Sequence, residues 1–347
     1  MHRYTSLLLF HLIACETAVE VDVPRNPPQL TVNGLFNPDS VWQIELTQNR
    51  YALDNKPFAS VPDAEVRVLQ DGRAVAVLDY QRNASFTGNS IYRATEGRPE
   101  LGKEYTLEVS HPTLGSLSAN SQVPISQVDI VSVAWDTLDI RESSGPSGNS
   151  VLYGVTVQID DPPERNFYSL SFFVRRNGLI YLDINGDNQE ELVASPPLFF
   201  TPVVAQSDDP VVNNIFDGSR DELLFSDESF NGNQYALKLY MAEPIQVSGG
   251  TTAVDLFTER VTFGEAIYDA EGNILLEPGE PFGPGFTAFA LLRTVTEEYY
   301  TYNYTRDLQA SVENNPFAQP VQVFDNIENG LGIFAGYSQM EKEVAFR

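Results

Sequence analysis

Oxygen donors alternate in YLDINGDNQEEL. Asp183, Asn185 and Asp187 stand at every second position, with Glu190 and Glu191 behind them. A hard cation such as Ca²⁺ gathers about six to eight oxygens of this kind. The spacing departs from an EF-hand, because Gly186 stands fourth in the loop and not sixth. A plain polar hairpin turning at Asn185-Gly186 fits the same residues. Two further segments gather carboxylates near turns: DDPPERNFY, from Asp160 to Tyr168, and SDESF, from Ser226 to Phe230. Two carboxyls can divide acid and base roles when their environments separate their pKa values. Solvated turns and caps use the same residues.

Other chemistries are closed. Of three histidines, His2 and His11 fall in the first fifteen residues, which leaves His111 in VSHPTLGS, a strand-end turn. One imidazole cannot build a His₃ or His₂Glu zinc site. A Ser-His-Asp triad would have to use it, and the chain has no GxSxG elbow. Cys15 is the single cysteine, so no intrachain disulfide and no thiolate metal site can form. No catalytic residue and no cofactor is expected, calcium apart. The net charge of −27, from 48 acids against 21 Lys and Arg, excludes general nucleic-acid binding, which needs cations against phosphates. It also opposes adhesion to an anionic membrane surface by charge. Self-repulsion that keeps the chain soluble accounts for it; attraction of cations or of a basic partner is the other reading.

Cys15 has a context of its own. The chain opens MHRYTSLLLFHLIAC, with an apolar run from Leu7 to Ala14 broken by His11. That run is too short to span a bilayer, which takes roughly 20 residues, and it fits the core of a secretory signal peptide. It ends Leu12-Ile13-Ala14-Cys15: an aliphatic residue, a small residue at the scissile position, then a sulfur nucleophile able to take a diacylglyceryl group. Residues 1–14 therefore read as a lipoprotein signal peptide. An ordinary signal peptide with a chance cysteine is the bland alternative. Residues 15–28 read as an acidic tether closed by prolines.

The body must then be built from strands. EVRVLQDGRAVAVLDY pairs two alternating runs across Asp71-Gly72, a hairpin signal. EYTLEVS sets Tyr105, Leu107 and Val109 on one face, and VLYGVTVQI, YALKLYM and FTAFALLRTV alternate likewise. The class is all-β, with an immunoglobulin-like β-sandwich over residues 29–126 and a larger β domain with one or two short helices over 127–347. A helix is expected over Glu297–Val312. Thr296 caps it, Glu297 and Glu298 suit the positive end of its dipole, and Asn314-Asn315-Pro316 stops it. Tyr300, Tyr304, Leu308 and Val312 would form its packed stripe. YYTYNYT, from Tyr299 to Thr305, reads as packing; an aromatic platform for a sugar or peptide is the alternative.

PVQVFDNIENGLGIFAGYS reads as strand, loop, strand: Val321–Phe324, a loop with Asn326 and a turn at Asn329-Gly330, then Leu331–Tyr337. Glycine inside a strand weakens it unless another backbone or ring comes close. Gly332 and Gly336 are therefore expected to admit a neighbouring segment, with the tyrosine-rich helix as the candidate. A binding surface for a partner is the other reading.

The pieces that carry a family resemblance are now in view. The lipobox Cys15 with its acidic followers Glu16, Glu20 and Asp22, then PPQLTVNGLFNP, PDAEVRVLQDG, GKEYTLEVSHP, FSDESFNG, TEEYYTYNYTRDLQ and NPFAQPVQVFDNIENGLGIFAGYS, spread over nearly the whole chain. In this order they resemble a family of Bacteroidota lipoproteins known as a domain of unknown function, whose genes commonly lie beside TonB-dependent receptors. The resemblance implies an outer-membrane, lipid-anchored, surface-exposed protein. It brings no catalytic residues. The expected partners are the membrane, through lipid on Cys15, and a TonB-dependent outer-membrane receptor. The expected function is a non-enzymatic accessory to that receptor. The alternatives are a stand-alone surface lipoprotein that binds glycans or peptides and, further off, a carboxylate-dependent hydrolase.

Overall fold

The computed structural model describes residues 27–51, 54, 57–82, 90–145, 148–176, 180–182, 191–194, 200–213, 221–242, 245–246, 252–255, 260–263, 267–268, 274–276, 281–282, 286–312 and 318–344. Alternating side chains build the first body. β1 (Leu30–Phe36) buries Leu30, Val32 and Phe36, and β2 (Gln43–Gln48) buries Ile44 and Leu46. β3 (Ala59–Ser60) is short. β4 (Glu65–Gln70) and β5 (Arg73–Gln81) form the expected hairpin, with positive φ at Asp71 and Gly72. β6 (Ile91–Arg93), β7 (Glu104–His111) and β8 (Gly115–Gln122) complete the set. On β7, Tyr105, Leu107 and Val109 all point into the core, as the alternation requires.

The hydrogen-bonded path runs β1-β2-β6-β5-β4-β7-β8 and curls around one core that holds Trp42, Tyr92, Tyr105 and Leu107. The two ends of this path meet through the last segment of the chain. Ser118 of β8 exchanges backbone bonds of 3.2 and 2.8 Å with Glu328. The final strand, β25 (Leu331–Val344), lies beside β1.

The second body is a sandwich. One sheet has the order β15-β17-β10-β9, from β9 (Ile130–Gly145), β10 (Gly148–Asp160), β15 (Ala205–Gln206) and β17 (Gln234–Ala242). The facing sheet has β11 (Phe167–Arg176) between β24 (Phe286–Val295) on one edge and β14 (Phe200–Val203) with β16 (Glu222–Ser226) on the other. Val155, Val157 and Ile159 meet Leu170, Phe172, Ala290 and Leu292 between them. Short pairs lie outside this core: β12 (Ile180–Leu182) with β13 (Glu191–Ala194), the sheet of β18 (Ile245–Gln246), β19 (Thr252–Asp255), β20 (Arg260–Phe263) and β23 (Pro281–Phe282), and β21 (Ile267–Tyr268) with β22 (Ile274–Leu276).

α1 spans Glu297–Val312 and covers the outer face of the second sheet. Thr296 caps it as expected: its Oγ1 accepts the Tyr299 N–H at 3.4 Å, and its carbonyl accepts the Tyr300 N–H at 3.0 Å. The buried stripe is one residue out of phase with the expected one. Tyr299 and Asn303 are buried, while Tyr300 and Tyr304 are half-buried.

β25 (Leu331–Val344) belongs to both bodies. Its first half pairs parallel with β1, from Thr31↔Leu331 to Phe36↔Gly336. Its second half pairs antiparallel with β24, from Val295↔Tyr337 to Ala288↔Val344. Phe334 enters the first core and Val344 the second, while Ile333 and Ala335 pack under α1. The boundary expected at 126/127 is thus crossed by the last strand, which sits in the same sheet as β1. Among the described residues no helix is long and apolar enough to cross a membrane.

Candidate functional site

The glycine-rich C-terminal segment is where the two bodies join. Its turn uses Asn329, with φ of 61°. Gly330 is held small by space, since a Cβ there would lie 2.9 Å from Leu117 Cδ2 and from Ile327 Cγ2. Gly332 has φ of +110°, and a Cβ on it would stand 1.9 Å from the Val32 carbonyl oxygen. A Cβ on Gly336 would stand 2.1 Å from the Gln122 carbonyl oxygen. The close approach expected at both glycines is present, but the partners are the backbones of β1 and β8. The tyrosine-rich helix is not the neighbour.

No strand forms over Val321–Phe324, contrary to the expected hairpin. A side chain does that work. Asn326 Oδ1 accepts the Phe334 N–H at 3.0 Å, and its Nδ2 donates to the Phe334 carbonyl at 2.7 Å and to Asn120 O at 3.3 Å. The Gly336 N–H donates to Ser121 Oγ at 3.4 Å, and the Gly336 carbonyl accepts from Thr296 N at 3.3 Å. These bonds satisfy the free edge of β25 at Phe334 and Gly336 without a neighbouring strand. Asn326→Ala would leave a buried N–H and carbonyl unpaired at Phe334, and it should lower stability by about 2–4 kcal/mol. Urea unfolding of the variant measures this; wild-type stability would contradict it.

The two acidic turns, separate in sequence, meet in space. Asp161 Oδ1 accepts from the Tyr168 hydroxyl, and Oδ2 accepts from Gly232 N at 2.8 Å. Asp227 Oδ2 accepts from Asn166 N at 2.6 Å, while its Oδ1 has no hydrogen-bond partner. Asp227 is fully buried and Asp161 nearly so. Burial pushes the Asp161 carboxyl above its ordinary value, against the lowering by Tyr168 and the Gly232 N–H. Burial does the same to Asp227; the Asn166 N–H opposes it and the Asp161 charge adds to it. Burial, with Asp161 beside it, also holds the Tyr168 hydroxyl protonated as a donor. Both carboxyls are buried, and their bonds tie the two turns together.

A raised carboxyl has a definite linkage sign. Its contribution to stability is full below the unfolded value of about 3.9 and is lost as pH rises through the raised folded value. Asp227→Asn should therefore flatten the fall in stability that runs from about pH 3.9 up to the raised folded value. Urea melts of both proteins at several pH values test this, and parallel profiles would contradict it.

A third polar cluster lies under α1. Glu222 Oε1 accepts from Ser169 Oγ and from the Tyr299 hydroxyl at 2.8 Å, and stands 3.7 Å from Arg293 Nη1. Arg293 also lies over the Tyr337 ring at 5.0 Å, whose hydroxyl accepts from Asn37 Nδ2 at 2.6 Å. Nothing in the sequence singled out Glu222, Ser169 or Arg293, because their partners lie far along the chain. The tyrosines of YYTYNYT serve packing. Tyr299 is buried, Tyr300 stacks on Tyr304 at 6.3 Å and meets Phe167 at 4.7 Å. His111 is a turn residue, its Nδ1 accepting from Thr113 N and Leu114 N at 3.3 and 3.1 Å.

Among the described residues, concavities open beside the start of α1 and beside Asn329. A crevice of about 290 Å³ lies between the exit of β8, the 164–167 turn and the start of α1, and its walls include Gln122, Ile125, Glu164, Asn166 and Glu297. Arg165, also in its wall, pairs with Glu297 at 3.8 Å, both side chains 64% exposed. A groove of about 390 Å³ runs beside Asn329, where Arg67 is held by Glu65 at 3.6 Å and Glu108 at 3.7 Å. Among the described residues no group of three or more His, Cys, Asp or Glu could hold a metal. Asp183, Asn185, Asp187 and Glu190 lie outside the described residues, as does Cys15; Glu191 begins β13.

These features define an all-β protein of two bodies joined by one shared strand. The chain belongs to the family described as Domain of unknown function (DUF4249), which it matches over residues 16–343. No curated protein matches it. A crystal structure of a DUF4785 family protein from Legionella pneumophila is similar over 76% of this chain, at 10% identity and a TM-score of 0.22. The match spans 52% of that protein, about half its length.

Proposed function

We propose that this chain is a lipid-anchored outer-membrane accessory protein, non-enzymatic, that assists a TonB-dependent receptor in ligand capture or uptake. The observation that carries the reading is Cys15, the sole cysteine, directly after Leu12-Ile13-Ala14 at the end of an apolar run. Two features of the body support it. Its buried and half-buried carboxyls bond within the body, Asp161 to the Tyr168 hydroxyl, Glu222 to the Tyr299 hydroxyl and Asp227 to the Asn166 N–H. Its open crevice carries Glu164 and Glu297 as exposed groups, which lack the desolvated setting that separates an acid from a base. The same crevice, with the exposed Ile125 at its wall, favours the stand-alone glycan- or peptide-binding lipoprotein as second reading.

The intact mass of the mature chain, purified from membranes of the native host, tests the anchoring. The expected species begins at Cys15 and carries a diacylglyceryl thioether and an amide-linked acyl chain. A mature chain that begins elsewhere, or that keeps a free thiol at Cys15, would overturn the reading.

A further inference from the structure

The last strand supplies one wall of the first body. β1 is bonded to β2 on one edge and to β25 on the other. β8 is bonded to β7 on one edge, and Glu328 closes the other. Between β1 and β8 stands Phe334, fully buried, 4.5 Å from the Phe36 ring and 6.5 Å from Trp42. Ile327 joins the same core. The slot is narrow: Val32 O and Gln122 O leave room only for hydrogen at Gly332 and Gly336.

We propose that Asn326–Gly336 acts as an in-chain donor strand, and that the first body stays open until it arrives. The topology enforces the order. β25 runs parallel to β1, so no hairpin can join them, and the crossover between them is the whole intervening chain. The Asn37–Tyr337 bond spans 300 positions. A chain delivered N-terminus first holds β1–β8 long before their closing strand exists. An open slot exposes two strand edges and the Phe36, Trp42 and Tyr105 rings, a surface prone to pairing with other chains. Completion of the C-terminus is thereby the step that closes the N-terminal body, and a chain lost before residue 331 is left open as well as short.

A nick tests this in the complete protein. A protease site placed between Val312 and Val321 is cut after folding, and Trp42 emission reports the first body. The nicked protein should keep native Trp42 emission, with its C-terminal piece bound. A labelled synthetic peptide of residues 319–344 should exchange into the slot at one per chain. The same peptide with Gly332→Val should fail to enter. After the bound piece is stripped in denaturant, native Trp42 emission should return only when the unmodified peptide is present. Recovery without peptide would overturn the proposal, as would equal entry of the Gly332→Val peptide. No entry or recovery with either peptide would overturn it too.

Discussion

Gly332→Ala should lower the unfolding free energy by about 3–5 kcal/mol, from backbone strain at a positive φ together with overpacking against β1. The φ of +110° lies where L side chains are strained, and a Cβ would sit 1.9 Å from the Val32 carbonyl oxygen. That oxygen is backbone in a paired strand, so it cannot swing aside as a side-chain tip would. Gly115 supplies the control. It too has positive φ, +85°, but nothing lies within 4 Å of a Cβ placed on it. Gly115→Ala should therefore cost only the strain, about 1 kcal/mol. The chain has two tryptophans, and they report separately. Trp42 is buried in the first core, and Trp135 packs against the second. Single-tryptophan variants followed through urea should give coincident transitions in the parent, and Gly332→Ala should shift the Trp42 transition most. Equal costs for the two alanine variants would show that β25 does not press on β1 as described.

Cys15→Ala should abolish acylation, and the chain should then either fractionate as soluble or remain an uncleaved precursor. Each buried CH₂ of an acyl chain contributes about 0.8 kcal/mol of membrane affinity, and stable attachment takes two chains or more. No helix of the described residues is long and apolar enough to cross a bilayer, and a net charge of −27 is repelled by anionic lipid. Radiolabelled palmitate should enter the parent and not the variant. Label in the variant would remove Cys15 from the account.

How much of this was legible in the chain depended on the range of each contact. The Asp71-Gly72 hairpin and the bounds of α1 follow from residues within a few positions of one another, and both stand where the sequence puts them. The buried face of α1 did not follow. Tyrosines at 299, 300, 302 and 304 give no sharp period, and the choice falls to what the sheet offers: Glu222 and Arg293 take the Tyr299 hydroxyl. Gly332 and Gly336 announced a close approach, but the approaching backbones, Val32 and Gln122, lie hundreds of positions away. The alternation in Val321–Phe324 suggested a strand, yet the edge it would have filled is taken by the Asn326 amide, a substitution that no pattern of hydrophobicity reveals. The acidic turns were each readable as turns. Their meeting around Tyr168 is a property of the sandwich, since it needs β10, β11 and β16 to be assembled first.

Purification of the lipidated protein from outer membranes, with its bound partners identified and counted, tests the proposed role most directly. The account predicts that a TonB-dependent receptor co-purifies at near one copy per chain and is absent when Cys15→Ala protein is used as bait. A lipidated chain that purifies alone, at the same yield and without a receptor, would contradict it.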